Sequence, residues 1–495
     1  MKPNDDFSQA ARQSNAAIII IIFNLYRNWI KRLLPILLAL FVSSGKATLL
    51  VTTFGIFIVL VALFGIIYFF KYTYYIADNE LIIEKGVFKR SKMVIPFERI
   101  QSINFKQAIL HQIFSVVELE IDTAGSSKIE FDLRAISKQK AEALRQIILN
   151  SKPEKSSLPL EETTSPPAPT PKILFKLSFG DLMKVGLTEN HLRSGLVPIA
   201  MYFWLRDLLR NGGINLDDLA TKYADPEKLY QLGLIILGIL FLGYALIAIL
   251  ISMIRSVLRF FDLTFYRTEE GFMVTYGLFT KRQISIQDPK IQIFKWQDNL
   301  LRKIPKIFNM QIKQAASAEV KKKTSSIHLA GLSERHIHQF LDAYYDKDYA
   351  IDDFIGISKW WFIRRLVIYT VLVIGSLILY QYFPEHPAFG ISAFFFVTLI
   401  LTSYLYFRKK KFGVNDEVIH IKGGRFGDSH QLIQLFKIQG VSLKQSPFQR
   451  RKDLAGIVIF TAAGNINLPY LAYDVAEKLR DYILQIVETD GRAWM

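Results

Sequence analysis

Apolar residues in this chain gather into long uncharged runs, and between the runs they alternate with polar ones. Positions 47–70 and 230–254 are 24 and 25 residues without a charge. A bilayer core takes ~20 apolar residues in a helix, and buried helices of soluble proteins rarely run so far uncharged. Both runs therefore predict spanning helices. Two further runs, 366–383 and 388–407, are separated only by Pro384-Glu385-His386-Pro387, which predicts a tight hairpin of two spans. Two weaker runs, 33–45 and 194–205, each precede a strong one and carry a proline soon after an arginine (Arg32 then Pro35, Arg193 then Pro198). They read as first members of two more hairpins, with Arg32, Arg193 and Arg206 reaching toward headgroups. The expectation is six spans in three hairpins. The run 16–23, followed by Tyr26, Arg27 and Trp29, lacks a small-residue cleavage site and reads as a retained interfacial helix.

The alternating stretches repeat. Gly86-Val87-Phe88 is followed by Arg99-Ile100-Gln101 and Thr123-Ala124-Gly125. Gly277-Leu278-Phe279 is followed by Lys290-Ile291-Gln292 and Gln314-Ala315-Ala316. Gly424-Arg425-Phe426 is followed by Lys437-Ile438-Gln439 and Thr461-Ala462-Ala463-Gly464. The glycine-to-glutamine step is 15 residues and the glutamine-to-alanine step 23 in every copy, which chance does not keep three times. In the first copy, 74–84 and 87–95 read as strands around turns at Asn79 and Lys85-Gly86, and 116–123 and 128–133 as a hairpin across Gly125-Ser126-Ser127. Each copy closes with an amphipathic helix. Its stripe is Ala141, Leu144, Ile147 and Ile148 after Ser137, then Ile337, Phe340, Leu341 and Tyr344 after Ser333. In the third copy it is Leu479, Tyr482, Ile483 and Ile486, with Asp474 as N-cap. One helix cannot bury such a stripe alone, so it must plug a curved sheet or open barrel.

The fold class is therefore membrane α-helical hairpins plus α+β domains. The divisions read 1–71 (interfacial helix and hairpin 1), 72–150 (β-rich domain 1) and 151–172 (linker). They continue with 173–259 (interfacial helix and hairpin 2), 260–348 (domain 2), 349–411 (hairpin 3) and 412–495 (domain 3). Six prolines between 153 and 172 make that linker extended and solvated, and Ser178 to Asp181 has the pattern of a helix start.

Composition refines this. The absence of cysteine excludes disulfides, Cys-ligated zinc, iron–sulfur clusters and thiol nucleophiles. The net charge of +17 would suggest nucleic acid in a soluble chain, but here much of it flanks the spans: Lys31-Arg32, Lys71, Arg255, Arg259, Arg364-Arg365 and Arg408 to Lys411. The longest opposite loop, 210–229, carries Asp217, Asp218, Asp225 and Glu227 against Arg210, Lys222 and Lys228. That asymmetry predicts a multi-pass protein of the bacterial cytoplasmic (inner) membrane, with the amino terminus and all three domains facing the cytoplasm. No nucleic-acid partner is expected.

In the Gly-x-Phe turn, in Ile95-Pro96-Phe97-Glu98-Arg99-Ile100-Gln101-Ser102-Ile103, and in Lys106-Gln107, Leu110 and Thr123-Ala124-Gly125, the chain resembles bacterial membrane proteins carrying the bacterial pleckstrin-homology (PH) domain, of the YdbT type. The second copy departs by its Lys321-Lys322-Lys323, and the third by Ile433-Gln434 in place of Ile-Pro and by Arg450-Arg451-Lys452. The resemblance implies three PH-like domains, each a strongly bent antiparallel sheet of seven strands capped by a carboxy-terminal helix. Lipid binding would follow from eukaryotic PH domains only by fold analogy.

No metalloprotease, P-loop, dinucleotide or nucleophile-elbow pattern is present, so no enzyme activity, catalytic residue, cofactor or metal is expected. His336 and His338 are two apart on a helix and point in different directions. The spans lack an interior carboxylate or lysine that would mark an ion path. The basic-Ile-Gln triplets have two readings. In the first the isoleucines face the core and the flanking residues serve the sheet. In the second Arg99, Gln101, Lys290, Gln292, Lys437 and Gln439 contact a partner peptide or lipid headgroup, as Lys321, Lys322 and Lys323 would at a hairpin tip. The functional expectation is a non-enzymatic integral membrane scaffold. Its PH-like domains would bind protein or lipid headgroups, in envelope maintenance or stress defence, and it would have a protein partner and the capacity to oligomerise. The alternative is a transporter or export accessory whose helices form a pathway regulated by those domains.

Overall fold

The computed structural model describes residues 7–44, 47–123, 131–150, 171–189, 226–315, 326–345, 349–386 and 388–492, with 207 and 210. Most of the linker, the apolar run 194–205, the turn 125–127 and Lys321, Lys322 and Lys323 lie outside them.

One plan recurs three times. In the first copy a short strand β1 (Ala11–Arg12) leads into helices Ala16–Ser44 and Ala47–Phe70. Strands β2 (Thr73–Ala77), β3 (Glu80–Lys85) and β4 (Ser91–Pro96) follow, then a 3-10 turn Phe97–Arg99. Next come β5 (Ile100–Ala108), a short helix Ile109–Ile113, β6 (Val116–Thr123), β7 (Phe131–Ser137) and the closing helix Lys138–Asn150. The second copy has β8 (Lys172–Lys176), helices Phe179–Leu187 and Pro226–Phe260, β9 (Thr264–Thr268), β10 (Gly271–Tyr276) and β11 (Thr280–Gln287). It continues with β12 (Ile291–Gln297), β13 (Ile307–Gln314), β14 (Ser326–Ser333) and the helix Glu334–Tyr344. The third has β15 (Ile355–Gly356), helices Trp360–Tyr382 and Ala388–Lys409, β16 (Lys411–Val414), β17 (Val418–Gly423) and β18 (Ser429–Gln434). It ends with β19 (Ile438–Lys444), β20 (Leu454–Thr461), β21 (Gly464–Ala472) and the helix Tyr473–Thr489.

Local chemistry places the turns. Asp78 and Asn79 both take positive φ, the type I′ geometry that these two residue types tolerate, and so close the β2–β3 hairpin. The repeated glycines 86, 277 and 424 sit at φ between +108° and +121°. A Cβ at any of them would stand 2.0–2.2 Å from the carbonyl oxygen of the residue three places on, so the glycine is obligatory. This turn delays β4 to Ser91, four residues later than the alternation at 87–95 implies.

Contacts divide the chain into two units. The first holds residues 1–172, 265–287 and 316–324. Its sheet β1-β2-β3-β4 belongs wholly to the first copy, but β5, β6 and β7 continue through a β5–β11 ladder into β10 and β9 of the second. Leu81, Ile83, Phe97, Ile100, Leu119 and Ile121 form the core, and Ala141, Leu144 and Ile148 of the closing helix plug it. Each leucine, isoleucine or phenylalanine among them is worth roughly 1.5–3 kcal/mol on burial. Ala17, Ile20 and Ile21 pack against Phe69, Val116 and Ala135. The run 16–23 is thus no separate interfacial helix: it is the first part of Ala16–Ser44, docked on the β-domain. That helix pairs with Ala47–Phe70, where Tyr26 Oη donates to the Ile58 carbonyl.

The second unit holds 173–264, 288–315 and 325–495 and repeats the arrangement. A seven-stranded sheet runs β14-β13-β12-β18-β17-β16-β15, joining the second copy to the third by a β12–β18 ladder, and β19-β20-β21 form a separate sheet. Leu479 and Ile483 of the closing helix are buried in its core, with Tyr482 and Ile486 at the margin. Asp474 is not the N-cap of that helix: Ala472 holds the position and Asp474 lies in the first turn. Ser178 and Ser333 do cap their helices, each with a reciprocal capping box.

The six expected spans reduce to three among the described residues: Leu242–Phe260, Trp360–Tyr382 and Ala388–Lys409. In the first hairpin the described apolar stretches are Ala16–Ile30 and Phe54–Phe70, and the side chains of 33–51 and 53 between them lie outside the described residues. The last two spans form the expected hairpin, with Ser392 Oγ donating to Ser376 Oγ at 3.0 Å across it.

Candidate functional site

The three basic-Ile-Gln triplets occupy one backbone position, where a 3-10 turn hands over to the next strand. Ile100, Ile291 and Ile438 are buried at that corner in all three copies. The flanking residues diverge. Arg99 and Gln439 are exposed, Lys290 is half-buried and Gln292 is buried. Lys437 is buried, and its ammonium donates to the carbonyls of Asp288 (2.9 Å) and Ile291 (2.7 Å) and to Tyr344 Oη (2.8 Å). The three donors of the Lys437 ammonium are thus taken up inside the fold, and Gln292 is buried at the same corner of its own copy. Lys437 is an internal tie that fixes the corner of one copy to the corner of the copy before it. The side chain of Gln101 and the run Lys321-Lys322-Lys323 lie outside the described residues.

A different group of residues makes a site. A cavity of about 250 Å³ opens beside the last turn of the spanning helix Leu242–Phe260. Arg259, Lys295, Arg302 and His328 line it, with Asn309 and Gln311 between them. Alternation in β12 aims Lys295 into it, β13 supplies Asn309 and Gln311, and β14 supplies His328. Arg302 comes from the short helix Leu300–Lys303, capped by the Asn299 side chain on the Arg302 amide (2.9 Å).

The cations here are poorly compensated. Arg302 is 4% exposed, and its Nε has no hydrogen-bond partner; Asn309 Oδ1 is likewise buried and unmet. Glu189 lines the cavity, but its carboxylate already accepts from Ser252 Oγ and from Arg255, both at 3.1 Å. Among the described residues neither Lys295 nor Arg302 forms an ion pair. Burial lowers the pKa of both, and at Arg302 the charges of Glu189 and Asp298 oppose the shift. Burial also lowers that of His328, helped by the positive charges of Arg259, Lys295 and Lys313, so its imidazole is neutral at neutral pH. Chemically this is a recess with donors and positive charge in excess of acceptors, and an oxyanion satisfies such a set. Sequence reasoning placed Arg259 only among the topology markers. Lys295, Arg302 and His328 stand on separate elements, and no linear spacing links them.

Comparison with known families decides the kinship. The sequence profile of the bacterial PH domain matches three times, over residues 30–152, 228–348 and 366–487, most of the chain. The chain belongs to the bacterial PH-domain family. Among the relatives of this bacterial PH-domain protein, the UPF0699 transmembrane protein YdbT of Bacillus subtilis (strain 168) is 22% identical over 444 residues, 87% of each chain. The UPF0699 transmembrane protein YdbS of the same strain is 26% identical over 137 residues, 26% of this chain and 86% of its own. The shorter relative thus spans about one of the copies seen here. In this bacterial PH-domain protein the repeated motif serves the corner of each domain, and the ligand-like chemistry lies in the recess of the second unit.

Proposed function

We propose that this protein is a non-enzymatic membrane scaffold whose PH-like domains face the cytoplasm and engage anionic lipid through the recess of Arg259, Lys295 and Arg302. The observation that carries the reading is the buried Arg302 guanidinium, whose Nε has no hydrogen-bond partner, in a recess beside the end of a spanning helix. A desolvated cation with no ion-pair partner costs several kcal/mol, and a phosphate oxygen of a headgroup entering the recess offsets it. Membrane anchoring presents such headgroups at high local concentration, so modest affinity suffices.

The test uses the full chain purified into nanodiscs of phosphatidylcholine with or without phosphatidylglycerol. Phosphatidylglycerol should raise the melting temperature by binding the folded state. Arg302→Met and Lys295→Gln should each lose most of that increment. A lipid increment that persists in both variants would overturn the reading, as would equal stabilisation of wild type by inorganic phosphate in phosphatidylcholine discs, which would assign the recess to a soluble anion.

A further inference from the structure

The chain carries two complementary strand edges that match the seams inside it. At the first internal seam, β5 of copy one pairs antiparallel with β11 of copy two, Phe105 opposite Gln283 and Lys106 opposite Arg282. At the second, β12 of copy two pairs with β18 of copy three, Trp296 opposite His430 and Gln297 opposite Ser429. The repeated glycines at 86, 277 and 424 place the copies 191 and 147 residues apart. On that correspondence Phe105 matches Trp296 and Gln283 matches His430, so the two seams share one register. Each also brings a short helix of one copy to the glycine turn of the next: Gln112 donates to the Leu278 carbonyl (3.0 Å), and Lys303 pairs with Asp428 (2.6 Å).

Each seam uses the fifth strand of one copy and the fourth strand of the next. Two strands of these classes remain. Among the described residues β4 of the first copy ends its sheet, and so does β19 of the third. Their outer N–H and C=O groups are a template for another strand. Val94 on β4 is 43% exposed, whereas the pair at its position and its partner's in the second seam, Leu432 and Phe294, are 1% and 2% exposed. Phe88 in the first glycine turn is almost wholly exposed; its counterparts Phe279 and Phe426, which lie beside a seam, are less so.

We propose that β19 of one molecule pairs antiparallel with β4 of a second copy of this chain, in the register of the internal seams. Val441 then lies opposite Val94, Met93 opposite Ser442 and Lys92 opposite Leu443. This is a heterologous, head-to-tail contact, so it propagates through successive molecules until it closes or is capped. Four ladder residues bind weakly by themselves, but confinement of both partners to one membrane raises their effective concentration. Arg450, exposed on the short helix after β19, approaches the Gly86 turn beside Lys89 and Arg90 in this register, so the contact strengthens with salt. The internal seam already sets Arg282 opposite Lys106, whose charge Glu118 (2.7 Å) and Glu120 (3.1 Å) balance.

The chain has no cysteine, which makes the test clean. Full-length Val94→Cys and Val441→Cys chains with different tags are expressed in the same membranes and oxidised with copper phenanthroline. A disulfide-linked dimer carrying both tags is expected, at roughly tenfold the yield from Val94→Cys with Ser442→Cys, whose side chain points to the other face of the strand. Absence of the mixed dimer would overturn the proposal. So would equally efficient linking of Val94→Cys to itself, which denotes a symmetric contact, or equal yields from both pairings, which denotes random collision.

Discussion

The Lys437 ammonium and the Ile291 carbonyl oxygen lie 2.7 Å apart, and through that bond the corner of the third copy closes on the corner of the second. Tyr344, at the end of the second copy's closing helix, joins them: its hydroxyl receives a bond from Lys437 and donates to Gln434 at 2.9 Å. Replacing Lys437 by methionine keeps most of the volume and removes three bonds. The Asp288 and Ile291 carbonyls then lose a buried donor, at a cost of about 2–4 kcal/mol, which thermal unfolding of the purified protein should register. Arg99→Met, at the exposed equivalent, should change stability by less than ~0.5 kcal/mol.

The same lysine sets an alkaline limb. Burial lowers its pKa to about 8, whereas the unfolded side chain titrates near 10.5. Between those values the unfolded chain binds more protons, so this group makes unfolding free energy rise with pH. Denaturation at pH 7.5 and 9.5 should show wild type gaining on Lys437→Met at the higher pH. The opposite sign would refute the buried placement.

An acid limb comes from a histidine pair on the sheet that joins the second and third copies. His420 Nε2 and His430 Nδ1 are 3.1 Å apart, and His430 stacks on Trp296 with ring centroids at 5.0 Å. Burial foremost lowers their pKa values, to about 3 and about 4. In the unfolded chain both protonate near 6.5, so stability present at pH 7 is lost as pH falls toward 4. Tryptophan fluorescence should show an earlier acid transition for wild type than for His420→Gln with His430→Gln.

Gly186 marks the closest approach of two helices. A Cβ there would stand 2.4 Å from the Met253 Cα in the helix Pro226–Phe260. Because backbone opposes backbone, the helix Phe179–Leu187 would have to lift away. Gly186→Leu should lower the melting temperature by several degrees and reduce the phosphatidylglycerol increment, since Glu189 and the recess follow on the same segment. Gly375→Leu, in open space on another helix, is the matched control.

Orientation has its own check. A reporter fused after residue 492 should signal from the cytoplasm, as the cations flanking the spans require. A periplasmic signal would reverse the placement of the recess relative to the inner leaflet.

The spacing of glycine, triplet and alanine turn made the threefold plan legible, because each mark answers a backbone demand that any copy must meet. Stripe residues such as Leu144, Phe340 and Ile483 followed from helical periodicity for the same reason. Three things were not legible. Lys437 and Arg99 share a motif yet differ in burial, because burial depends on whether a preceding copy packs against the corner. The recess was hidden because Arg259, Lys295, Arg302 and His328 converge only after β12, β13 and β14 are laid against a helix end. Strand sharing was also invisible: alternation within β5 and β11 fixes their faces but not which strand each takes as neighbour.

That sharing bears on how such chains lengthen or shorten over evolution. A duplication that inserts one whole copy, with its hairpin, forms two seams like those already present and leaves the same terminal edges. A deletion does the converse. Copy number is therefore free to drift without inventing a new interface, as monomer units are added to a growing polymer.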